Sequence, residues 1–272
     1  MESLRLIDSW PVPHAATAVV RADGGTAGVH GPDRHRFALA SVTKPLTAYA
    51  CLVAVEEGAM ELDEPAGPPG ATVRHLLAHT AGYEFSGDRL LAAPGTRRIY
   101  SNTGFEVLAA HLEKASGIPF ADYLREAVLE PLGMAATTLD GSPAAGATST
   151  CADLVRFAAE LLAPTLLAPE TVREATSVVF PGLDGVVPGY GHHRPNDWGL
   201  GFEIRGAKSP HWTGAHSSPR TFGHFGQAGT FLWVDPDAGA ACVLLTDRPF
   251  GAWCQPLWPA FTDAVLAELA GG

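Results

Sequence analysis

Cationic residues are scarce in this 272-residue chain, which has 18 lysines and arginines against 29 aspartates and glutamates. The resulting formal net charge of −11 repels the phosphates of nucleic acids and the headgroups of anionic lipids. The composition therefore argues against a nucleic acid or a membrane surface as the main partner. It does not restrict the charge of a small substrate, because one local site can differ in sign from the whole chain.

Long apolar segments and paired cysteines are also missing. No apolar run approaches the ~20 residues that span a bilayer, and residues 1–14 lack the basic and apolar regions of a secretory signal. The 4 cysteines are scattered and form no C-x-x-C pair. We therefore expect reduced cysteines that serve mainly in packing, in a cytoplasmic protein.

Hydrophobic residues make up 46% of the chain, which suits a globular protein with a substantial core. Two β-prone runs, 15–20 and 26–30, flank Asp23-Gly24-Gly25 and predict a hairpin. Strand patterns return only late in the chain, before a predicted helix at 255–270. These late strand patterns cover 198–204, 222–224, 230–235 and 240–246.

The interval between these two strand regions has mainly helical patterns punctuated by proline and glycine. Predicted helices cover 72–79, 104–116, 119–129 and 149–162. We therefore predict a discontinuous α/β sheet domain, residues 1–60 and 197–272, with a mainly helical domain, residues 61–196, inserted in it. The segment 181–197 is loop-like and is expected to line a cleft or to be mobile.

Ser41 and Lys44 lie three residues apart at the start of an apolar helical run that ends near Gly58. Positions i and i+3 share one face of a helix, so the hydroxyl and the amine can meet. A serine hydroxyl needs a base beside it to act as a nucleophile. A lysine can be that base only if burial or nearby positive charge lowers its pKa. Ser-x-x-Lys also occurs by chance, with serine as a helix cap and lysine in solvent.

Two further groups of residues point to the same chemistry. Tyr100 and Asn102 follow a Pro-Gly turn and precede a helix, where a phenol and an amide can be aimed in one direction. We expect nearby ammonium groups to lower the pKa of the phenol. His224 and Gly226 lie in a predicted strand whose edge can supply N–H donors to an oxyanion.

These three elements, in this order, resemble the serine β-lactamase and penicillin-binding-protein superfamily. Ser41-Val42-Thr43-Lys44 is similar to its first motif, Tyr100-Ser101-Asn102 to its second, and His224-Phe225-Gly226 to its third. The flanking stretches TVRHLLAHTAGY at 72–83 and GHFGQAGTFLWVDP at 223–236 are also similar, so the likeness covers nearly the whole chain. It is nearest to class C β-lactamases and to related esterases and D-amino-acid peptidases.

The resemblance implies a role for each residue. Ser41 would be the acylated nucleophile, Lys44 its base, and Tyr100 a general acid and base. Asn102 would bind the substrate amide and contact Lys44, and the backbone N–H groups of Ser41 and Gln227 would form the oxyanion hole. The implied fold is α/β, an antiparallel sheet flanked by helices plus an all-helical domain, with the site at their junction. Neither a metal nor an organic cofactor is implied.

The third motif departs from the family pattern, because His224 stands where lysine is usual and Phe225 where threonine is common. That lysine and threonine help to bind a substrate carboxylate, whereas a histidine is mostly neutral at pH 7. We therefore expect a small-molecule ester or small amide as substrate. The alternatives are a D-amino-acid amidase or peptidase, a weak β-lactamase, or a penicillin-recognising sensor without turnover.

Other histidines carry little weight as metal ligands. His192, His193, His211 and His216 form a loose group whose spacings match no common zinc pattern. His75 and His79 are i and i+4 on one predicted helix, but no glutamate follows His75 as in H-E-x-x-H. The resemblance makes His79 a structural residue at the helix end.

Overall fold

The computed structural model describes residues 1–271, which form a six-stranded antiparallel sheet with helices on both faces. The strand order is β2-β1-β11-β10-β9-β8, so the two ends of the chain meet in the middle of the sheet. The hairpin predicted around Asp23-Gly24-Gly25 is confirmed, and β1 pairs with β11 along its full length. The strands of this sheet are β1 (Ala15–Arg21), β2 (Thr26–His30), β8 (Glu203–Ile204), β9 (Phe222–Gly226), β10 (Thr230–Asp235) and β11 (Ala240–Thr246).

Seven helices accompany the sheet in the described chain, and short 3₁₀ turns cover Ser3–Ser9 and Ala40–Val42. The helices predicted from the sequence are confirmed, with ends that differ by a few residues. The helices are α1 (Thr43–Glu56), α2 (Val73–Leu77), α3 (Asn102–Ser116), α4 (Phe120–Leu124, continued by a π turn over Arg125–Leu129), α5 (Cys151–Leu162), α6 (Pro169–Ala175) and α7 (Cys254–Gly271).

Both faces of the central strands are covered, which explains why β11 is an unbroken apolar run rather than an alternating one. All seven of its residues are buried. Val243 and Leu245 face the larger core, which includes α1, α3 and α5, whereas Cys242 and Leu244 face the core under α7. The four cysteines are buried and unpaired, as expected.

The strand predicted at 198–204 is mostly wrong, because only Glu203–Ile204 pair as β8. Gly201 explains the difference. Its φ is +89°, and a β-carbon there would lie 2.1 Å from the β-carbon of Ala48 on α1. The chain turns sharply at this glycine to pass close to helix α1, and a regular strand cannot include that turn.

The region predicted to be mainly helical contains four short strands besides its helices. One three-stranded sheet joins β3 (Phe37–Ala38), just before the Ser41 turn, to β5 (Ala147–Ser149) and β4 (Thr138–Leu139). A two-stranded ribbon pairs β6 (Gly185–Val187) with β7 (Gly191–His193). The division into two domains stays a prediction. None of the helices within residues 1–271 has both the length and the hydropathy needed to cross a bilayer.

Candidate active site

Ser41 lies in a tight turn that is held between α1 and strand β9. The preceding residue, Ala40, has a φ of +45°, a left-handed conformation that is unusual for a residue other than glycine. The hydroxyl of Thr230 on β10 donates to the carbonyl of Leu39 at 2.8 Å and ties the turn to the sheet. Backbone strain of this kind persists only where the surroundings hold it, and it is frequent at active sites.

The side chain of Lys44 is fully buried and reaches back to Ser41. Its Nζ lies 3.4 Å from Ser41 Oγ, 2.7 Å from Asn102 Oδ1 and 2.9 Å from the carbonyl oxygen of Ala144. Burial lowers the pKa of Lys44 to about 7, and the opposing effect of Glu106 is smaller. A neutral amine has two N–H groups, which Asn102 and Ala144 accept, and one lone pair. That lone pair is left for the Ser41 hydroxyl, as a general base requires.

Tyr100 and Asn102 are presented by the start of α3. Ser101 caps this helix, because its Oγ accepts the Gly104 N–H at 3.1 Å while donating to the carbonyl of Glu84 at 2.6 Å. The Asn102 N–H donates to the carbonyl of Phe85 at 2.8 Å. The helix cap and the loop that carries Phe85 therefore hold this second motif from both sides.

The expected lowering of the Tyr100 pKa is wrong. Burial raises its pKa above the ordinary value, and this effect exceeds the opposing one of a hydrogen bond with Ser41. Lys44 Nζ lies 4.6 Å from the centre of the phenol ring, so its position is suited to a cation–π contact. A phenolate is disfavoured here since desolvation penalises its charge. Tyr100 is therefore a neutral phenol that can exchange protons with Ser41.

His224 is buried in β9 and faces the phenol of Tyr100, with 3.4 Å between His224 Nε2 and Tyr100 Oη. Its Nδ1 lies 2.7 Å from the carbonyl oxygen of Phe225, which assigns the ring proton to Nδ1 and leaves Nε2 as an acceptor. Burial, followed by Lys44, lowers the pKa of His224 to about 3. The ring is therefore neutral at pH 7 and offers no cation to a substrate carboxylate.

Gly226 and Gln227 complete the set of residues predicted from the sequence. A β-carbon at position 226 would lie 2.3 Å from the Leu39 carbonyl oxygen, so only glycine lets β9 approach the Ser41 turn so closely. β8 pairs with β9 only through Phe222 and Gly223 in the described chain, which leaves the later part of this edge unpaired by β8. Gln227 lies just beyond β9 and lines the same cavity as Ser41.

A cavity of about 280 Å³ opens beside Ser41. Its walls are mainly apolar, and the segment 181–197, expected to line a cleft, contributes Val187 and Pro188. Trp198 is a cleft wall. Within residues 1–271, the side chains that line this cavity include no lysine or arginine. The aromatic and aliphatic walls are Phe85, Tyr100, Val187, Trp198 and Phe225.

A buried arginine that the sequence analysis missed links several backbone segments near this cavity. The Arg98 guanidinium donates to the carbonyls of Ala78 at 2.6 Å, Val179 at 2.8 Å, Phe180 at 3.1 Å and Asn196 at 3.1 Å. It therefore joins the segment before Tyr100 to both ends of the segment that contributes Val187 and Pro188 to the cavity. A single arginine next to the second motif carries no signal that could have shown this role.

A second feature missed by the sequence analysis is a buried charged group at the cavity wall. The carboxylate of Glu203 accepts from Lys208 Nζ at 3.2 Å and from Trp212 Nε1 at 2.8 Å, and it lies 3.1 Å from His211 Nε2. Burial alone would raise the pKa of Glu203, but Lys208 and then His211 hold it below its usual range. His211 is thus paired with a carboxylate.

The remaining histidines are dispersed. His192 pairs with Asp184 at 2.8 Å, and His216 lies 3.6 Å from Asp263 on α7. Over residues 1–271, the three side chains whose ligand atoms lie within 4.8 Å of one another are His14, His35 and Asp247. They are exposed at the surface, away from the residues that line the Ser41 cavity.

Comparison with known proteins identifies the family to which this arrangement belongs. The profile of the Beta-lactamase family matches residues 12–266. The chain belongs to the beta-lactamase family. A crystal structure of a beta-lactamase from Mycobacterium bovis has 60% identity and a TM-score of 0.97, covering 98% of this chain and 99% of that one. The predicted β-lactamase fold, an antiparallel sheet flanked by helices, is therefore confirmed.

Relatives within the beta-lactamase family include hydrolases with different names. Esterase EstB of Burkholderia gladioli is 26% identical over 85% of this chain and 82% of its own length. The D-alanyl-D-alanine-carboxypeptidase/endopeptidase AmpH of Escherichia coli is 30% identical over 39% of this chain and 37% of its own. The match thus covers little more than a third of that second protein, and the two names differ in substrate.

Proposed function

We propose that this protein is a serine hydrolase that cleaves carboxylic esters or small amides through an acyl-enzyme on Ser41. The observation that carries the proposal is the placement of the buried Lys44 amine, whose pKa burial lowers to about 7, 3.4 Å from the Ser41 hydroxyl, with Tyr100 lining the same cavity. A serine with a base and a proton-donating phenol beside it in a partly enclosed cavity is equipped for nucleophilic catalysis. The buried, unpaired cysteines support a reducing compartment such as the cytoplasm.

Acylation begins with attack of Ser41 Oγ on the substrate carbonyl as the serine proton passes to Lys44. The backbone N–H groups of Ser41 and Gln227 would bind the oxyanion of the tetrahedral intermediate. Tyr100 gives its proton to the leaving oxygen or nitrogen, and the proton held by Lys44 returns to the phenolate as the intermediate collapses. The leaving group departs and Ser41 is left as an ester.

Deacylation repeats these steps with water as the nucleophile. Tyr100 Oη lies within reach of both Ser41 and His224 Nε2. Water that attacks the acyl carbonyl from this side passes a proton to the phenol oxygen as the phenol gives its own proton to the departing Ser41 Oγ, which restores the free serine. Because His224 is neutral and its Nε2 is a hydrogen-bond acceptor, it can accept from the phenol and so fix the orientation of Tyr100.

The cavity walls favour an apolar acyl group. A cavity of about 280 Å³ has room for a chain or ring of several carbon atoms, and each buried CH₂ contributes about 0.8 kcal/mol of binding. An adjoining groove shares Phe85, Tyr100 and Pro188 with this cavity and is bordered by the exposed Leu91 and Val186. We assign the cavity to the acyl group and the groove to the leaving group.

The alternative substrates require a feature that an ester substrate does not, namely a cation in the site. A β-lactam or a D-alanyl peptide carries a carboxylate, and the neutral His224 replaces the cation that would bind it. A D-amino-acid amidase or peptidase therefore ranks second, and weak β-lactamase activity after it. A penicillin-recognising sensor would acylate at Ser41 without turnover.

Steady-state assays combined with intact mass measurement test the proposal on the unmodified protein. We expect multiple turnovers with p-nitrophenyl acetate and butyrate, slower cleavage of D-alanyl-p-nitroanilide, and no lasting mass increase after addition of penicillin. A stable penicillin adduct together with little ester turnover would contradict the proposal and favour the sensor. Faster cleavage of the D-alanyl amide than of either ester would favour the peptidase alternative.

Filling the cavity should change acyl-chain preference. Val187 is buried in the ribbon that lines the cavity, so Val187→Phe places several extra carbon atoms where the acyl chain would lie. We expect kcat/KM for p-nitrophenyl hexanoate to fall roughly tenfold relative to that for the acetate, in line with the 1–3 kcal/mol typical of one methylene in an apolar pocket. Val178→Phe, at an exposed valine, is the matched control. Equal loss for both esters would place the acyl chain elsewhere.

A further inference from the structure

His79 combines two locally unfavourable features directly behind Tyr100. Its φ is +57°, in the left-handed region that side chains other than glycine rarely adopt. Its ring is buried, and Nε2 has no hydrogen-bond partner in the described part of the chain. Both features destabilise the folded state, and they persist only where other contacts of the residue compensate. The contacts of His79 with the neighbouring segment provide this compensation.

Three contacts join His79 to the segment that carries Tyr100. The Ile99 N–H donates to the backbone carbonyl of His79 at 2.8 Å. The Ser101 N–H donates to the Nδ1 atom of His79 at 3.2 Å. The imidazole also lies against the Tyr100 ring, with 4.5 Å between ring centres and 40° between planes. His79 therefore binds the backbone on both sides of Tyr100 and contacts one face of the Tyr100 ring.

The hydrogen bond from Ser101 requires a particular form of this imidazole. Nδ1 can accept only when it carries no proton, so the single ring proton lies on Nε2. Burial, followed by the positive charge of Lys44, places the pKa of His79 well below its ordinary value. The ring therefore stays neutral and keeps its acceptor over the pH range in which Lys44 loses its proton.

We propose that His79 is a positioning residue for Tyr100, one that sets the position of the phenol oxygen between Ser41 and His224. The proposal rests on the proposed function, in which Tyr100 exchanges protons with Ser41. The left-handed backbone places the His79 carbonyl opposite Ile99, and the side chain then reaches Ser101. A residue whose role was only to end helix α2 would need neither contact.

Two substitutions separate positioning from a purely structural role. His79→Ala removes the acceptor and the ring, whereas His79→Asn keeps an acceptor oxygen near the Nδ1 position and tolerates the left-handed backbone. We expect His79→Ala to lower kcat for p-nitrophenyl butyrate about 30-fold and to change KM less than about threefold, since small misplacements of a reacting group can cost up to 10²-fold. His79→Asn should restore kcat to within about fivefold of the wild type.

The matched control is His75→Ala, which removes the nearby histidine that lies within helix α2. His75 accepts from the Thr72 backbone N–H at 3.2 Å and stacks on Phe180, so its loss should lower the melting temperature without lowering kcat. Thermal unfolding of every variant shows whether a change in rate follows folding. A folded His79→Ala with wild-type kcat, or an equal loss in His75→Ala, would overturn the proposal.

A measurement on the unsubstituted protein covers the case in which His79→Ala does not fold. ¹⁵N NMR of histidine-labelled protein should show His79 with an unprotonated Nδ1 and a protonated Nε2 at pH 7, and the opposite tautomer or a protonated ring would overturn the proposal. Ser41→Ala distinguishes the two levels of inference. If the wild type shows no ester turnover, or if its turnover survives Ser41→Ala, the proposed function is refuted. If turnover depends on Ser41 but is unaffected by substitution of His79, only the positioning role is refuted.

Discussion

Ser41→Ala should lower kcat for p-nitrophenyl acetate and butyrate by at least about 10⁴-fold, because it removes the atom that would form the acyl-enzyme. The substitution deletes one oxygen and leaves the cavity walls in place, so KM for the residual reaction should change little. Hydrolysis rates and intact mass after rapid acid quench give the readout. The wild type should show a transient mass increase equal to the acyl group, and the variant should show none.

The control for this substitution is Ser86→Ala, which changes an exposed serine in the loop next to Phe85. It should retain wild-type turnover and the transient acyl adduct. Ester hydrolysis that persists in Ser41→Ala would mean that another group is the nucleophile. An adduct that maps by peptide mass to a residue other than Ser41 would lead to the same conclusion.

Lys44→Met should lower kcat/KM about 10³-fold and remove the acidic limb of the pH–rate profile. In the wild type we expect kcat/KM to rise tenfold per pH unit below a midpoint near pH 7, since Lys44 must lose its proton before it can accept one from Ser41. Methionine has similar volume but cannot accept a proton. A pH profile of both proteins from pH 5 to 9 tests the assignment, and Lys114→Met, at an exposed lysine of α3, is the control.

The same substitution should not destabilise the protein at pH 7. An unfolded lysine keeps its proton up to a pKa of about 10.4, whereas folding lowers the pKa of Lys44 to about 7. The folded state is therefore disfavoured by this group below pH 10, and most strongly below pH 7. Methionine removes that penalty, although Asn102 and Ala144 lose a donor. A lower free energy of unfolding in denaturant titration, with activity retained, would contradict the assigned role.

Much of the fold followed from short-range patterns. The Asp23-Gly24-Gly25 turn, the apolar β11 and the apolar run after Ser41 each have a local physical cause, and the structure confirms the elements they predict. The strand at 198–204 was wrong because its interruption is not local. Gly201 turns there to let the chain pass Ala48, and that approach depends on where α1 packs.

For the candidate site too, some properties could be predicted from the sequence and others could not. Ser41, Lys44, Tyr100, Asn102 and His224 could be named from motif spacing, because helix and strand geometry place such residues predictably. Their protonation could not be derived. The sequence suggested that positive charge would lower the Tyr100 pKa, but burial raises it, and burial is a property of the assembled core.

The sequence by itself determined the long helices, most of the sheet strands and the candidate residues for chemistry, since these depend on residue type and on spacing of a few positions. Only the tertiary structure decided the environment of those residues. Arg98 and His79 act through partners that are distant along the chain, and no local pattern encodes such contacts. The depth of burial that lowers the pKa of Lys44 to about 7 arises for the same reason, because it requires α1, α3 and the Ala144 loop to close around one amine.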